Sequence, residues 1–352
     1  MNKRLLSSKG WRDNQVTAIL YALLAAAFYA ANAPVSKLLL TRIPPTFLAS
    51  FLYMGAGIGV ELMLILNKNR ERTEKLTSAD LPYTVGMIVL DIAAPILLMI
   101  GIQVGSSSNA SLLGNFEIVS TTLIALYIFR ESVSARLWVA IGLITLSSCV
   151  LSFEGSESFR FSAGSLFVLG AALCWGFENN CTRKISTKST YEIVILKGLF
   201  SGGGSFAIAL LLGEAFPKLS DVFYALILGF FSYGLSIFLY IRAQRTIGAA
   251  KTSAYYAVAP FIGVFLSFLF LREALTPRFL CALFIMAVGT AFVVLDTLLQ
   301  RHTHLHAHTF VHMHDGTAHR HTVIHAHPHN HYVHKYRHKH YHTLEELEKG
   351  LL

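Results

Sequence analysis

The chain has 352 residues, of which 54% are hydrophobic and only 14% charged. Ordinary soluble domains carry roughly a quarter charged residues, so this composition excludes a soluble globular protein and points to the bilayer. The formal net charge of +9 would suit nucleic acid only if the basic residues gathered on one surface, and they do not.

Apolar runs of the about 20 residues needed to cross a bilayer recur along the chain. They fall at 15–40, 46–66, 83–103, 106–129, 135–153, 163–182, 190–213, 219–241, 247–271 and 277–299. A basic start (Lys3, Arg4, Lys9, Arg12) precedes the first run, whose AFYAANA resembles a signal-peptidase site. The apolar run continues to Leu40 and further spans follow, so we expect it to be kept as a span. With the N-terminus inside, sixteen Lys and Arg fall in cytoplasmic segments before the tail is counted. Only Arg42, Arg160, Lys218, Arg272 and Arg278 fall outside. This is the positive-inside bias of a polytopic protein, and an even number of spans returns the C-terminus to the cytoplasm. Cys149, Cys174, Cys181 and Cys281 lie in or beside apolar spans without paired spacing and read as small buried hydrophobes.

A repeat organises these runs. SLLGNFEIVSTTLIALYIFRESVSARLWVAIG, from Ser111, matches SAYYAVAPFIGVFLSFLFLREALTPRFLCALF, from Ser253, without a gap, and Arg130-Glu131 falls on Arg272-Glu273. AAFYAANAPVSK, ending at Lys37, aligns with ALCWGFENNCTR, ending at Arg183. Two matches in the same order indicate duplication. Each half holds five spans, an odd number, so the second copy enters the membrane from the opposite side. The expected fold is an all-α polytopic membrane protein of ten transmembrane helices arranged as two inverted five-helix repeats. A basic segment at 1–14 precedes repeats at 15–155 and 163–299, and a tail occupies 300–352.

The segments NAPVSKLLL, IPPTFLASFLYMGAGIGVEL, IFRESVS, LFLREALT and GAALCWGFENNCTRKIS resemble the EamA-like branch of the drug/metabolite transporter superfamily over residues 15–299. The resemblance implies a ten-helix bundle that exports or exchanges small polar metabolites. One departure stands out: Glu117 lies near the place held by Pro260 in the second copy, where the family often has proline.

Ionisable groups inside spans cost about 2.5–3.5 kcal/mol on insertion scales, so they face cavities or partners and are functional candidates. The deep ones are Lys37, Asp91, Glu117, Glu178 and Lys197, with Glu61, Lys251 and Asp296 nearer the ends. Glu117, Glu178 and Asp91 are the expected proton-coupling groups. Asn32, Asn115, Glu178, Asn179, Lys197 and Tyr255 are the expected substrate contacts. The plainer reading makes Asp91–Lys197 or Glu178–Lys197 a structural ion pair and lets Lys37 snorkel to the interface. Pro34, Pro95 and Pro260 are expected to kink their helices, and Gly202-Gly203-Gly204 to allow close packing. The chain carries no nucleophile elbow, Cys-x-x-Cys pair or nucleotide-binding signature, so we expect no enzyme and no required cofactor.

All sixteen histidines lie between His302 and His342. His302, His304, His306, His308, His312 and His314 alternate with other residues, and so do His319, His321, His325, His327, His329 and His331. In an extended chain, residues two apart share a side. The parity changes across Asp315-Gly316, a dipeptide favoured in hairpin turns. Imidazole suits zinc, nickel, copper and cobalt, so the tail is expected to bind divalent metal ions. Three functions remain in play at this level. In order they are a metabolite transporter with a metal-binding tail, a divalent transition-metal transporter, and a membrane-anchored metal sensor. The expected partners are a small-molecule substrate, the lipid bilayer and metal ions at the tail, with homodimerisation open and nucleic acid not expected. The expected location is a prokaryotic inner membrane.

Overall fold

The computed structural model describes residues 8–66, 76–129, 133–154, 160–185, 188–247, 252, 255–314 and 317–332. Two compact units divide the chain, Met1–Val294 and Leu295–Leu352.

The first unit is helical. Its elements are α1 (Ser8–Ala30), α2 (Asn32–Leu39), α3 (Pro45–Leu66), α4 (Leu81–Val104), α5 (Ser107–Leu113), α6 (Phe116–Phe129) and α7 (Ala135–Ser152), then α8 (Ala163–Ile185), α9 (Thr190–Leu196), α10 (Gly202–Leu211), α11 (Leu219–Gly229), α12 (Ser236–Ile247), α13 (Ala259–Leu271) and α14 (Pro277–Leu298). Among the described residues, eight helical stretches are long and apolar enough to cross a membrane: Gln15–Leu39, Pro45–Leu66, Ser78–Val104, Ser107–Ile128, Ala135–Ser152, Thr190–Leu211, Leu219–Ala243 and Pro277–Asp296. The other two expected spans differ for physical reasons. Glu178, Asn179 and Asn180 make α8 too polar to qualify by composition, although it has 23 residues. Among the described residues of the span expected at 247–271, the longest helix is the 13-residue α13. Large apolar side chains such as Leu66, Leu211 and Phe284 stand on the outside of the unit, where only lipid can cover them at low cost.

Local sequence sets the breaks. Ser106 accepts the Asn109 amide at 3.2 Å and so caps α5, and Ser189 does the same for the Glu192 amide of α9. Arg272, at φ 53°, ends α13 in the left-handed region. The prolines act more variously than expected. Pro34 lies just after the break at Ala31, Pro95 stays within the continuous α4, and Pro260 occupies the first turn of α13. Two wide π turns interrupt the second half, at Lys197–Ser201 between α9 and α10 and at Phe230–Leu235 between α11 and α12.

The helices pair across the midpoint of the chain. α4 packs on α8, as α1 does on α12; α6 also packs on α8, as α13 does on α1; and α3 meets α10. A short antiparallel pair, β1 (Phe153–Glu154) with β2 (Arg160–Phe161), joins the halves, with Phe153 opposite Phe161 and Glu154 opposite Arg160. α3 is the most enclosed of the eight stretches and carries Phe47, Leu48 and Leu52 into the core. Close approach requires glycine where α3 crosses the second half. A β-carbon on Gly57 would strike the backbone at Gly198, and one on Gly198 would strike Gly57 in return.

The second unit contains a two-stranded antiparallel hairpin, β3 (Leu299–His314) with β4 (Thr317–Tyr332). Its register pairs His302 with His329, His304 with His327, His306 with His325, and His312 with His319. His334, His338, His340 and His342 lie outside the described residues.

Candidate functional site

Four of the five deep ionisable groups expected from the sequence, Asp91, Glu117, Glu178 and Lys197, come together inside the helical unit. The first π turn carries Lys197 inward, where its Nζ lies 2.8 Å from Glu178 Oε1 on α8 and 3.2 Å from Asp91 Oδ2 on α4. Asp91 is fully buried and Glu178 is 2% exposed. Asp91 Oδ1 accepts the Tyr53 hydroxyl at 3.0 Å. Its Oδ2 has no hydrogen bond of good geometry, so the attraction to Lys197 there is electrostatic. Both expected ion pairs are therefore present and share a single cation.

Glu117 is held by the amide of Asn179, the residue next to Glu178 on α8. Asn179 Nδ2 donates to Glu117 Oε1 at 2.6 Å and to Thr121 Oγ1 at 3.2 Å, linking α8 to the first turn of α6. Thr182, one turn along α8, donates its hydroxyl to Glu178 Oε1. Asn180 is tied to carbonyl oxygens of Gly176 and Thr121. If all four ionisable groups carried charge, three carboxylates would face one ammonium. A surplus of that kind out of water is relieved by bound protons or by a cationic ligand.

An aromatic wall completes the site. The second π turn presents Tyr233, whose ring centroid lies 5.2 Å from that of Tyr53 and 6.0 Å from that of Tyr29. Tyr233 Oη accepts Asn32 Nδ2 at 2.9 Å, and Asn32 Oδ1 in turn accepts the Ser36 hydroxyl at 3.1 Å. Trp175 Nε1 donates to Tyr53 Oη at 3.4 Å. Tyr256 packs against Tyr29 at 5.9 Å and Tyr240 at 5.2 Å. Charge, amide and aromatic surfaces thus converge from α1, α2, α3, α4, α6, α8 and the two π turns.

Two expected contacts lie elsewhere. Asn115 Nδ2 donates to Thr290 Oγ1 on α14, at 3.5 Å. Tyr255 is 36% exposed, and its neighbour Tyr256 turns toward the aromatic wall, as the helical step of about 100° per residue requires. Tyr53, Tyr233, Tyr29 and Tyr256 were missed by sequence reasoning because tyrosines in apolar runs look like interface anchors. Their spacing one turn from polar residues was the available signal.

Lys37 is bound rather than free at an interface. Its Nζ donates to the carbonyl oxygens of Ile102 at 2.6 Å, Gln103 at 3.0 Å and Gly105 at 2.5 Å, where α4 ends. Glu273 sits on the start of α5, accepting the amides of Ser107 at 2.8 Å and Ser108 at 2.9 Å and both serine hydroxyls. Arg130 and Glu131, their expected counterparts of Arg272 and Glu273 in the first copy, lie outside the described residues. Among the described residues of the helical unit, no group of three or more His, Cys, Asp or Glu is arranged to hold a metal ion.

The EamA-like transporter family matches the chain twice, over residues 16–153 and again over 162–295, and the two matches meet at the β1–β2 hairpin. The chain belongs to the EamA-like transporter family. It is therefore a membrane transporter and not an enzyme, and it works on a small-molecule solute within a lipid bilayer. An uncharacterized transporter of Methanothermobacter thermautotrophicus is 27% identical over 268 residues, covering 71% of this chain and 78% of its relative. A protein of known crystal structure superposes with a TM-score of 0.56 at 15% identity, covering 79% of this chain and 96% of its own, and so shares the fold.

Proposed function

We propose that this EamA-like transporter is a proton-coupled exporter or exchanger of small polar metabolites. The observation that carries the reading is the sharing of one lysine by two carboxylates, with a third acid, Glu117, held by Asn179, the neighbour of Glu178 on α8. A solute bearing an ammonium or another hydrogen-bond-donating group can replace Lys197 or a proton on these acids. The tyrosine and tryptophan faces then cover its apolar part. Because solute and protons compete for the same surplus of negative charge, binding one releases the other. That exchange is the physical basis of coupling. No cofactor takes part in this reading.

The reading also takes the ten helical segments as ten crossings in two inverted repeats. The crossed pairing of α4 with α8 and of α1 with α12 supports this, since it is what a two-fold axis between the halves would produce. Both termini then lie in the cytoplasm, at a prokaryotic inner membrane.

Purified protein in proteoliposomes tests the coupling. Amine-bearing polar solutes should move against their gradient when a pH gradient is imposed, and the flux should collapse with a protonophore. Movement with unchanged rate in the absence of the gradient would overturn proton coupling. Single cysteines at E154C and T303C in a cysteine-free background test the inversion and should label from opposite sides. Labelling from the same side would remove it.

A further inference from the structure

We infer that the β3–β4 hairpin is a preformed binding site for a borderline divalent metal ion such as zinc, nickel, copper or cobalt. Its centre is the three consecutive rungs His302/His329, His304/His327 and His306/His325. The inference rests on the tail alone and stands or falls independently of the transport reading.

The register carries it. Along β3 the histidines occupy even positions and along β4 odd ones. The observed pairing joins even to odd throughout, from Gln300 with His331 to His314 with Thr317. In an antiparallel pair, directly opposed residues lie on the same face and alternate residues along each strand share that face. By register, then, all twelve strand histidines belong to one face. The opposite face holds such pairs as Leu305 with Ala326, Ala307 with Ile324, and Met313 with Ala318. A slip of one residue would set His304 against Pro328 or Ala326 and dissolve every rung. The parity switch in the sequence and the two residues between the strands are thus matched to each other.

The spacing suits a metal. Opposed β-carbons in such a ladder stand about 4.5–5.5 Å apart, and successive rungs about 6.6 Å. Two adjacent histidine rungs therefore set four histidine positions at the corners of a small rectangle, as many as the donors of a tetrahedral ion. Three rungs in succession provide two overlapping rectangles. The pair His312/His319 stands alone, because Phe310 opposes His321 and Val323 opposes His308 on the intervening rungs. Neither strand contains Asp or Glu, which disfavours calcium and magnesium.

The test uses the full-length protein in detergent, titrated with cobalt(II) as a spectroscopic probe and with zinc(II) in competition. The expected result is tight binding with the intense visible absorption of tetrahedral cobalt. One comparison protein keeps the number of histidines but moves three to the other face by H325A, A326H, H327A, P328H, H329A and N330H together. Its affinity should fall at least about tenfold, and its tetrahedral absorption should be lost. The single change H308A, at a position opposed by valine, should shift affinity less than about threefold. Equal affinity in the face-swapped protein would mean that any histidine-rich chain suffices, and the inference would fail. Undiminished tight binding after truncation at Leu298 would place the metal outside the hairpin and also overturn it. Circular dichroism and a thermal melt of each protein report that the helical unit is intact.

Discussion

Asn179 donates its side-chain amide to Glu117 at 2.6 Å, and this bond ties the one acid of α6 to α8 at the residue next to Glu178. Glu117→Gln keeps the shape of the side chain and removes its capacity to exchange a proton. The expected outcome is loss of flux driven by a pH gradient, by at least about tenfold, with solute counterflow retained. Proteoliposome flux and counterflow on the same preparation separate the two. Unchanged gradient-driven flux would remove Glu117 from the coupling role.

Lys197→Met would leave Asp91 and Glu178 buried without their shared cation. Removing one partner of a buried pair typically costs about 3–5 kcal/mol, so the variant should unfold at a markedly lower temperature in detergent. Adding Asp91→Asn should restore part of that loss, because the second change removes a charge that the first had orphaned. A double-mutant cycle on unfolding midpoints measures the recovery, and simple additivity would argue against the pairing.

Glu273→Ala removes the acceptor for two amides and two hydroxyls at the start of α5. Charge-assisted bonds of this kind contribute about 1.5–3 kcal/mol each when first lost, with later losses partly taken over by water. We expect a fall of about 2–3 kcal/mol overall in stability. Glu273→Gln should recover part of it, since one amide oxygen can still accept. Chemical unfolding curves of the three proteins check the order.

Gly57→Val places branched carbon atoms where the Gly198 backbone already lies. The helices cannot separate there without opening the core around Leu52 and Phe47. The expected outcome is failure to accumulate as a monodisperse protein, read by fluorescence-detected size exclusion. Gly203→Ala, at a site with no neighbouring atom in reach of the new methyl group, should accumulate normally.

The sequence made most of the helical unit legible because apolar length is dictated by the bilayer and so survives without any knowledge of packing. α8 shows where that signal weakens: the polar residues that form the site, Glu178 to Asn180, are the ones that lower its apolarity. The acids and Lys197 were visible as costly exceptions within apolar runs. Their convergence was not, because it depends on two π turns, and nothing in KGLFS or FFSYGL distinguishes a wide turn from a regular one. Tyr53 and Tyr233 entered through those same turns and through the crossing of α3 with the second half. Asn115, in the break between α5 and α6, is a polar residue whose partner, Thr290 on α14, could not be read from the sequence. The hairpin was legible in a different way, through parity, because a period of two leaves no freedom once the turn length is set.

The pairing of α4 with α8 and the meeting of Asp91 with Lys197 fix an order of events at birth. Some 106 residues separate the acid from its cation. At synthesis rates of about 5–20 residues per second, that is a delay of roughly 5–20 s. Throughout it the nascent first half holds this aspartate with Tyr53 for a partner but without its cation. The insertion machinery must shelter that group beside water or headgroups until the later helices arrive, so a slowed ribosome would endanger this protein more than one whose halves close independently.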